Sequence, residues 1–175
     1  MLIAMAGLPG TGKSALARGL AEAVGAAVLD KDPIRAALFA PADIEHSTAQ
    51  DDFCVGIMLQ AAGYMWERDP GRAVILDGRP FSKRSQRAEV ARFASTHAVR
   101  FVLIECVCPA HVARERIDRD ARTGGHLARN RDASLYLRLR ASFEPIEEAH
   151  LVVDTTADYD ACLQLCLRYI RAGNE

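Results

Sequence analysis

The sequence predicts an α/β protein built on a parallel sheet covered on both faces. Three observations predict it. Short apolar runs alternate with stretches of helical periodicity along the whole chain, the pattern of successive βα units. The runs are nearly continuous rather than alternating, as strands buried on both faces require. The first of them leads directly into Gly7-Leu8-Pro9-Gly10-Thr11-Gly12-Lys13-Ser14, which fits the Walker A phosphate-loop pattern G-x-x-x-x-G-K-[ST].

That pattern carries weight only between a strand and a helix, and both are readable. Leu2–Ala6 is a buried-strand run. Ala15, Leu16, Leu20, Ala23 and Val24 recur at helical spacing, and Gly25 closes the helix. The glycines Gly7, Gly10 and Gly12 let the backbone curl so that its N–H groups face phosphate oxygens. The new helix points its positive end at the same place. The whole loop, Pro9 and Thr11 included, is predicted to cradle a nucleoside triphosphate. Lys13, expected to face solvent, reaches the β- and γ-phosphates, and the Ser14 hydroxyl ligates Mg²⁺.

The second strand, residues 26–29, ends at Asp30-Lys31-Asp32-Pro33-Ile34-Arg35. Asp32 before Pro33 reads as a helix cap, or as a general base at the carboxyl end of a strand, where ligands of open α/β sheets bind. Arg35 in the first turn opposes the helix dipole, which implies an anion nearby. A loop over 41–46 leads to a long helix from Ser47 to about Arg68, its apolar stripe facing the core. The third strand, 73–77, ends in Asp77, as a strand carrying a carboxylate to Mg²⁺ does. After the loop Gly78-Arg79-Pro80-Phe81, a helix runs from about Ser82 to Ser95 with Lys83, Arg84 and Arg87 crowding its start.

The fourth strand spans 100–108 and stops at Pro109. From Arg114 to Arg131 there are six arginines, no lysine, and the pair Gly124-Gly125. Two readings compete: a solvated helix stapled by i,i+4 ion pairs, or a hinged lid whose guanidiniums grip triphosphate. The lid is placed at about 114–131. A helix from about Asp132 to Glu148, broken near Pro145, precedes the fifth strand at 151–154 and a closing helix over 157–171.

Composition narrows the function. A chain of 175 residues is expected to form one domain, 1–175. The formal net charge of −1 gives no global signal for nucleic acid or membrane. No apolar run approaches membrane-spanning length, and the N-terminus does not read as a signal peptide. Cys54, Cys106, Cys108, Cys162 and Cys166 read as small buried hydrophobes rather than a zinc site, and the expected compartment is the cytoplasm.

Together these pieces resemble the small P-loop kinases related to nucleoside monophosphate kinases, among them polynucleotide 5′-kinase, chloramphenicol phosphotransferase, zeta-toxin-type and gluconate kinases. The resemblance covers nearly all of the chain. It rests on the phosphate loop and on Asp32-Pro33-Ile34-Arg35, which is similar to that group's D-x-x-R. It rests also on Arg116-Ile117-Asp118-Arg119, like its lid R-x-x-R, on Asp132-Ala133-Ser134 with Phe143-Glu144-Pro145, and on Asp154-Thr155-Thr156 at the last strand end. The resemblance implies a three-layer P-loop NTPase fold with a five-stranded parallel sheet in the order 2-3-1-4-5. It implies that Asp32 accepts the proton of an acceptor hydroxyl, that Arg35 lies by the acceptor, and that Thr155 flanks the adenine. Arg79-Pro80 departs from the small or amide residue that many relatives carry there.

The expected activity is ATP-dependent phosphoryl transfer to a hydroxyl, with ATP and Mg²⁺ as cofactors. Lys13, Asp32, Arg116 and Arg119 carry the chemistry. Arg119 and Thr155 join the loop in holding the nucleotide, Asp32, Arg35, Arg79 and Arg87 bind the acceptor, and Ser14 and Asp77 hold the metal. The cations at the two helix starts predict an anionic acceptor, a polynucleotide end being one candidate. The alternative is an NTP hydrolase or a nucleotide-binding switch. A guanine-reading N-K-x-D is absent, since Lys31-Asp32 lacks the Asn.

Overall fold

A computed structural model describes residues 1–45, 47–123 and 133–173. The apolar runs form five strands: β1 (Leu2–Ala6), β2 (Ala27–Asp30), β3 (Val74–Asp77), β4 (Phe101–Val107) and β5 (Leu151–Asp154). All pair in parallel, in the order β2-β3-β1-β4-β5. This is the order the resemblance implies. It places β1 at the centre, where every residue is buried, and aligns the carboxyl ends of the strands along one edge.

The described helices are α1 (Lys13–Val24), α2 (Lys31–Leu38), α3 (Thr48–Arg68), α4 (Arg84–Thr96), α5 (Ala110–Thr123), α6 (Ala133–Ala141) and α7 (Tyr159–Ala172). Alternation of side chains along β1 divides the core in two. Leu2, Ala4 and Ala6 pack with Val55, Met58, Leu59 and Trp66 of α3 and Val90 and Ala94 of α4. Ile3 and Met5 pack with Leu16 and Leu20 of α1 and Cys162, Cys166 and Ile170 of α7. Hence the sheet has helices on both faces. Burial pushes the Cys106 thiol up to about 12 and that of Cys166 to about 11, as apolar packing does.

Two elements differ from the sequence reading. Helix α2 begins two residues early. Its cap is Asp30, whose side chain accepts from the Asp32 backbone N–H at 3.0 Å. Pro33 is tolerated at the third helical position because the first N–H groups of a helix have no intrahelical partner. The helix expected to reach Glu148 ends at Ala141. Residues beyond it are tied to the start of α4: the Glu144 backbone N–H donates to the Ser82 carbonyl at 2.9 Å, and Arg87 reaches the Pro145 carbonyl. The expected hinge Gly124-Gly125, with Arg129, Arg131 and Asp132, lies outside the described residues.

Candidate active site

The phosphate loop links β1 to α1, as the motif requires. Its backbone is wound through left-handed conformations at glycine. Gly10 has φ +77°, and a Cβ there would collide with the Ala113 carbonyl of α5. The loop is therefore packed against α5 by contact only glycine allows. At its start, the Gly7 N–H donates to the Pro80 carbonyl at 3.0 Å. That bond ties the loop to the turn after β3. Phe81 in that turn is fully buried with φ +49°, a conformation that costs a non-glycine residue about 1–3 kcal/mol and is held here by its surroundings.

A cavity of about 630 Å³ opens over the loop and runs along the carboxyl edge of the sheet. This is within the range of small-molecule sites. Gly10, Gly12, Lys13 and Ser14 line it on the loop side, and Asp32, Arg116, Arg119 and Thr155 face it from elsewhere. Gly7, Pro9 and Thr11 are buried in the body of the loop, where the Thr11 hydroxyl donates to the Leu8 carbonyl at 2.7 Å. Lys13 is buried, not solvent-facing: its Nζ donates to the Leu8 carbonyl at 2.7 Å. The ammonium thus rests on a carbonyl of its own loop.

Arg116 joins the two ends of the site. Its guanidinium donates to the Thr155 hydroxyl at 2.9 Å, to the Thr155 carbonyl at 2.8 Å and to the Gly10 carbonyl at 3.4 Å. The Thr155 hydroxyl in turn donates to the Thr11 carbonyl at 3.0 Å. Glycine is needed at position 12 for its φ of +83° and not for space, since a Cβ there would make ordinary contact 3.4 Å from Thr155 and 3.5 Å from Arg116. Arg119, one turn along α5, is exposed. Arg116 therefore fixes the geometry of the loop against the β5–α7 turn, while Arg119 presents its charge to the cavity.

Asp77 is buried at the end of β3, and its Oδ1 has no hydrogen-bond partner among the described residues. A buried, unpartnered carboxylate oxygen is costly unless a cation takes it up. With the Ser14 hydroxyl on the neighbouring loop, it makes a hard-oxygen set that fits Mg²⁺.

Asp32 is nearly buried, and since Asp30 supplies the cap of α2, its carboxylate is not spent on the helix. Arg35 Nη1 donates to Asp32 Oδ1 at 3.2 Å, and Lys31 Nζ lies 3.5 Å from the same oxygen. The expectation of an anion beside Arg35 rested on a first-turn position, whereas α2 starts at Lys31 and Arg35 lies in its last turn; the anion it meets is the protein's own. Asp51, in the first turn of α3, pairs with Arg35 Nη2 and accepts from Lys31 Nζ at 2.7 Å. Arg79 pairs with Asp52 in the same way. At the start of α4 the Glu144 carboxylate accepts from the Arg84 backbone N–H at 2.6 Å and lies 3.3 Å from Lys83. Those two contacts hold its carboxyl below the usual range. Arg87 bonds the Phe81 and Pro145 carbonyls and the Glu148 carboxylate. The structure therefore brings Lys13, Ser14, Asp32, Arg116, Arg119 and Thr155 to one cavity. It places Arg35 and Arg79 behind it in ion pairs, and Arg87 in the packing of residues 145–148.

Asp30, Lys31 and Asp51 escaped the sequence reading as site residues. Asp30 lines the cavity and is the register partner of Asp77. The signal for it was the acid–base–acid run at a strand end. Asp51 lies in the first turn of α3 and belongs to no motif.

Residues 2–146 match the model of the AAA domain family, and the chain belongs to that family. Its fold is the kinase-like P-loop fold. A candidate kinase from Chloroflexus aurantiacus is 21% identical, with a TM-score of 0.76 over 98% of this chain and 96% of that one. The APS kinase CysC of Mycobacterium tuberculosis, solved with AMPPNP and APS, is 19% identical with a TM-score of 0.72 over 97% and 96%. A gluconokinase from Sinorhizobium meliloti is 21% identical with a TM-score of 0.62 over 95% and 89%. No curated protein sequence matches the chain. Among the described residues, no helix is long and apolar enough to cross a membrane.

Proposed function

We propose that the protein is an ATP-dependent phosphotransferase that moves the γ-phosphoryl group to a hydroxyl acceptor. One observation carries this reading: a buried carboxylate, Asp32, shares the cavity of the phosphate loop and is not used to cap its own helix. A switch has no use for such a group, whereas phosphoryl transfer needs a residue to orient and deprotonate the attacking hydroxyl. The kinase-like fold and the nucleotide-bound APS kinase neighbour support the same reading.

Each residue then has a task. Lys13 Nζ leaves the Leu8 carbonyl for the β- and γ-phosphate oxygens. Asp32 Oδ takes the acceptor proton. Arg119 meets charge developing on the transferred group, and Arg116 holds Thr155 and the loop in register beneath it. Asp77 and Ser14 would hold Mg²⁺, which when bound neutralises charge on the β- and γ-phosphates. We place residues 1–175 in one kinase domain with its lid at about 114–131, in the reducing environment of the cytoplasm that suits five free cysteines.

The test is ATP turnover with Mg²⁺ in the presence and absence of a panel of hydroxyl acceptors, with product identified by mass. Acceptor-dependent transfer is expected. Hydrolysis of equal rate with and without every acceptor would instead establish the hydrolase or switch.

A further inference from the structure

We infer that the acceptor is an uncharged hydroxyl compound, and that Asp51 sets this choice by filling the cation site from within the protein. The inference rests on the kinase reading for the identity of the site. An acceptor hydroxyl that comes to Asp32 lies beside Asp30, Asp32 and Pro33, which line the cavity, and the first turns of α3 and the turn after β3 stand directly behind them. Three cations stand there: Lys31, Arg35 and Arg79, all nearly buried.

An arginine fork beside a phosphate clamps it bidentately, one N–H from each Nη. Here the Arg35 fork is divided between two carboxylates. Nη1 serves Asp32 at 3.2 Å and Nη2 serves Asp51. Lys31 Nζ bridges the same pair, at 3.5 Å from Asp32 and 2.7 Å from Asp51. Arg79 is taken by Asp52. Three cations meet three carboxylates, and Asp30 adds further negative charge at the adjoining strand end. A phosphate or carboxylate on the acceptor would have to expel Asp51 or Asp52 from a bonded position and then sit beside Asp32. Placing like charge there discriminates against anions in the way interfaces reject wrong partners. An uncharged polyhydroxyl compound has the opposite chemistry. Its O–H groups donate to carboxylate oxygens and disturb no pair.

The experiment fills the phosphate loop with Mg²⁺ and a non-hydrolysable ATP analogue, so that inorganic phosphate used as a probe reads only a second site. Binding is followed by calorimetry for the wild type, Asp51→Asn and Asp52→Asn. Asp52 is half exposed, so its variant keeps the test open if Asp51→Asn fails to fold. Transfer is measured in parallel with matched acceptors, a nucleoside or hexose with and without a phosphate ester. The wild type is expected to bind no phosphate saturably at the second site. Each variant gains a site at least about tenfold tighter, and the uncharged member of each pair has a kcat/KM at least about tenfold higher in the wild type. Second-site phosphate binding by the wild type that Arg35→Gln abolishes would overturn the inference. So would variants that gain no phosphate binding, or preference for the phosphorylated acceptor. Absence of transfer to every acceptor would refute the kinase reading separately, because the phosphate arm needs no turnover.

Discussion

Replacing Asp32 by Asn separates catalysis from structure at the residue on which the mechanism turns. Asn has nearly the same shape, and its Oδ1 can still accept from Arg35 Nη1, now 3.2 Å from the carboxylate. What it loses is the capacity to take a proton. A positioned general base contributes roughly 10²–10⁴ in rate, or about 3–5 kcal/mol of barrier. The structural cost is smaller. A hydrogen bond to a charged group is worth about 1.5–3 kcal/mol and a neutral one about 0.5–1.5, so the change costs about 1–2 kcal/mol. It does not reach the ~3–5 kcal/mol of a broken buried pair, because Asp51 still faces both Lys31 and Arg35. The cap of α2 is untouched, since Asp30 provides it. In a chain of this length each kcal/mol moves Tm by about 2–4 °C, so a fall of about 2–8 °C is expected. Single-turnover phosphoryl transfer and thermal unfolding measured on one preparation give both numbers. A variant whose transfer rate stays within about threefold of wild type, whatever its Tm, would refute Asp32 as the base.

The other predictions probe the supports of the site. Lys13→Ala should abolish turnover while costing about 1.5–3 kcal/mol of stability, the worth of a charged hydrogen bond such as that to the Leu8 carbonyl; unfolding it by denaturant checks the second half. Gly10→Ala drives a methyl into the Ala113 carbonyl and occupies a positive φ, so nucleotide affinity measured by titration should collapse and Tm should fall. Arg87→Met removes the tie to Glu148 and to the Phe81 and Pro145 carbonyls. It should lower Tm, with the KM values for ATP and acceptor unchanged; a raised acceptor KM would restore Arg87 to the acceptor site. Cys106 and Cys166, with thiols pushed to about 12 and about 11 by burial, hold almost no thiolate at pH 8. Mass spectrometry should find them unalkylated until the protein is unfolded.

The sequence by itself determined everything that rests on contiguous residues. The eight residues from Gly7 to Ser14 contain the glycines, the ammonium and the hydroxyl of the phosphate loop. The apolar runs became strands, and those at the centre of the sheet, β1 and β3, are buried throughout, while Val28 of β2 and Val152 of β5 stay exposed on the two edges. The helix-dipole argument held for Lys83, at the cap of α4, but not for Arg35: with α2 beginning at Lys31, Arg35 falls in its last turn, where the dipole favours a cation, yet both meet anions. Which anions they are was decided only by the tertiary structure. Asp51 meets Arg35 across 16 residues, Asp52 meets Arg79 across 27, and Glu144 meets the start of α4 across 60. A sequence shows an uncompensated charge as soon as its helix can be read, but it does not show which opposite charge will fold over it. The same holds for the cap of α2. The sequence pointed to Asp32 as the cap, and the structure uses Asp30 instead because pairing of β2 with β3 runs to Asp30 and Asp77, so the chain leaves the sheet there. That one placement kept the Asp32 carboxylate out of the helix cap.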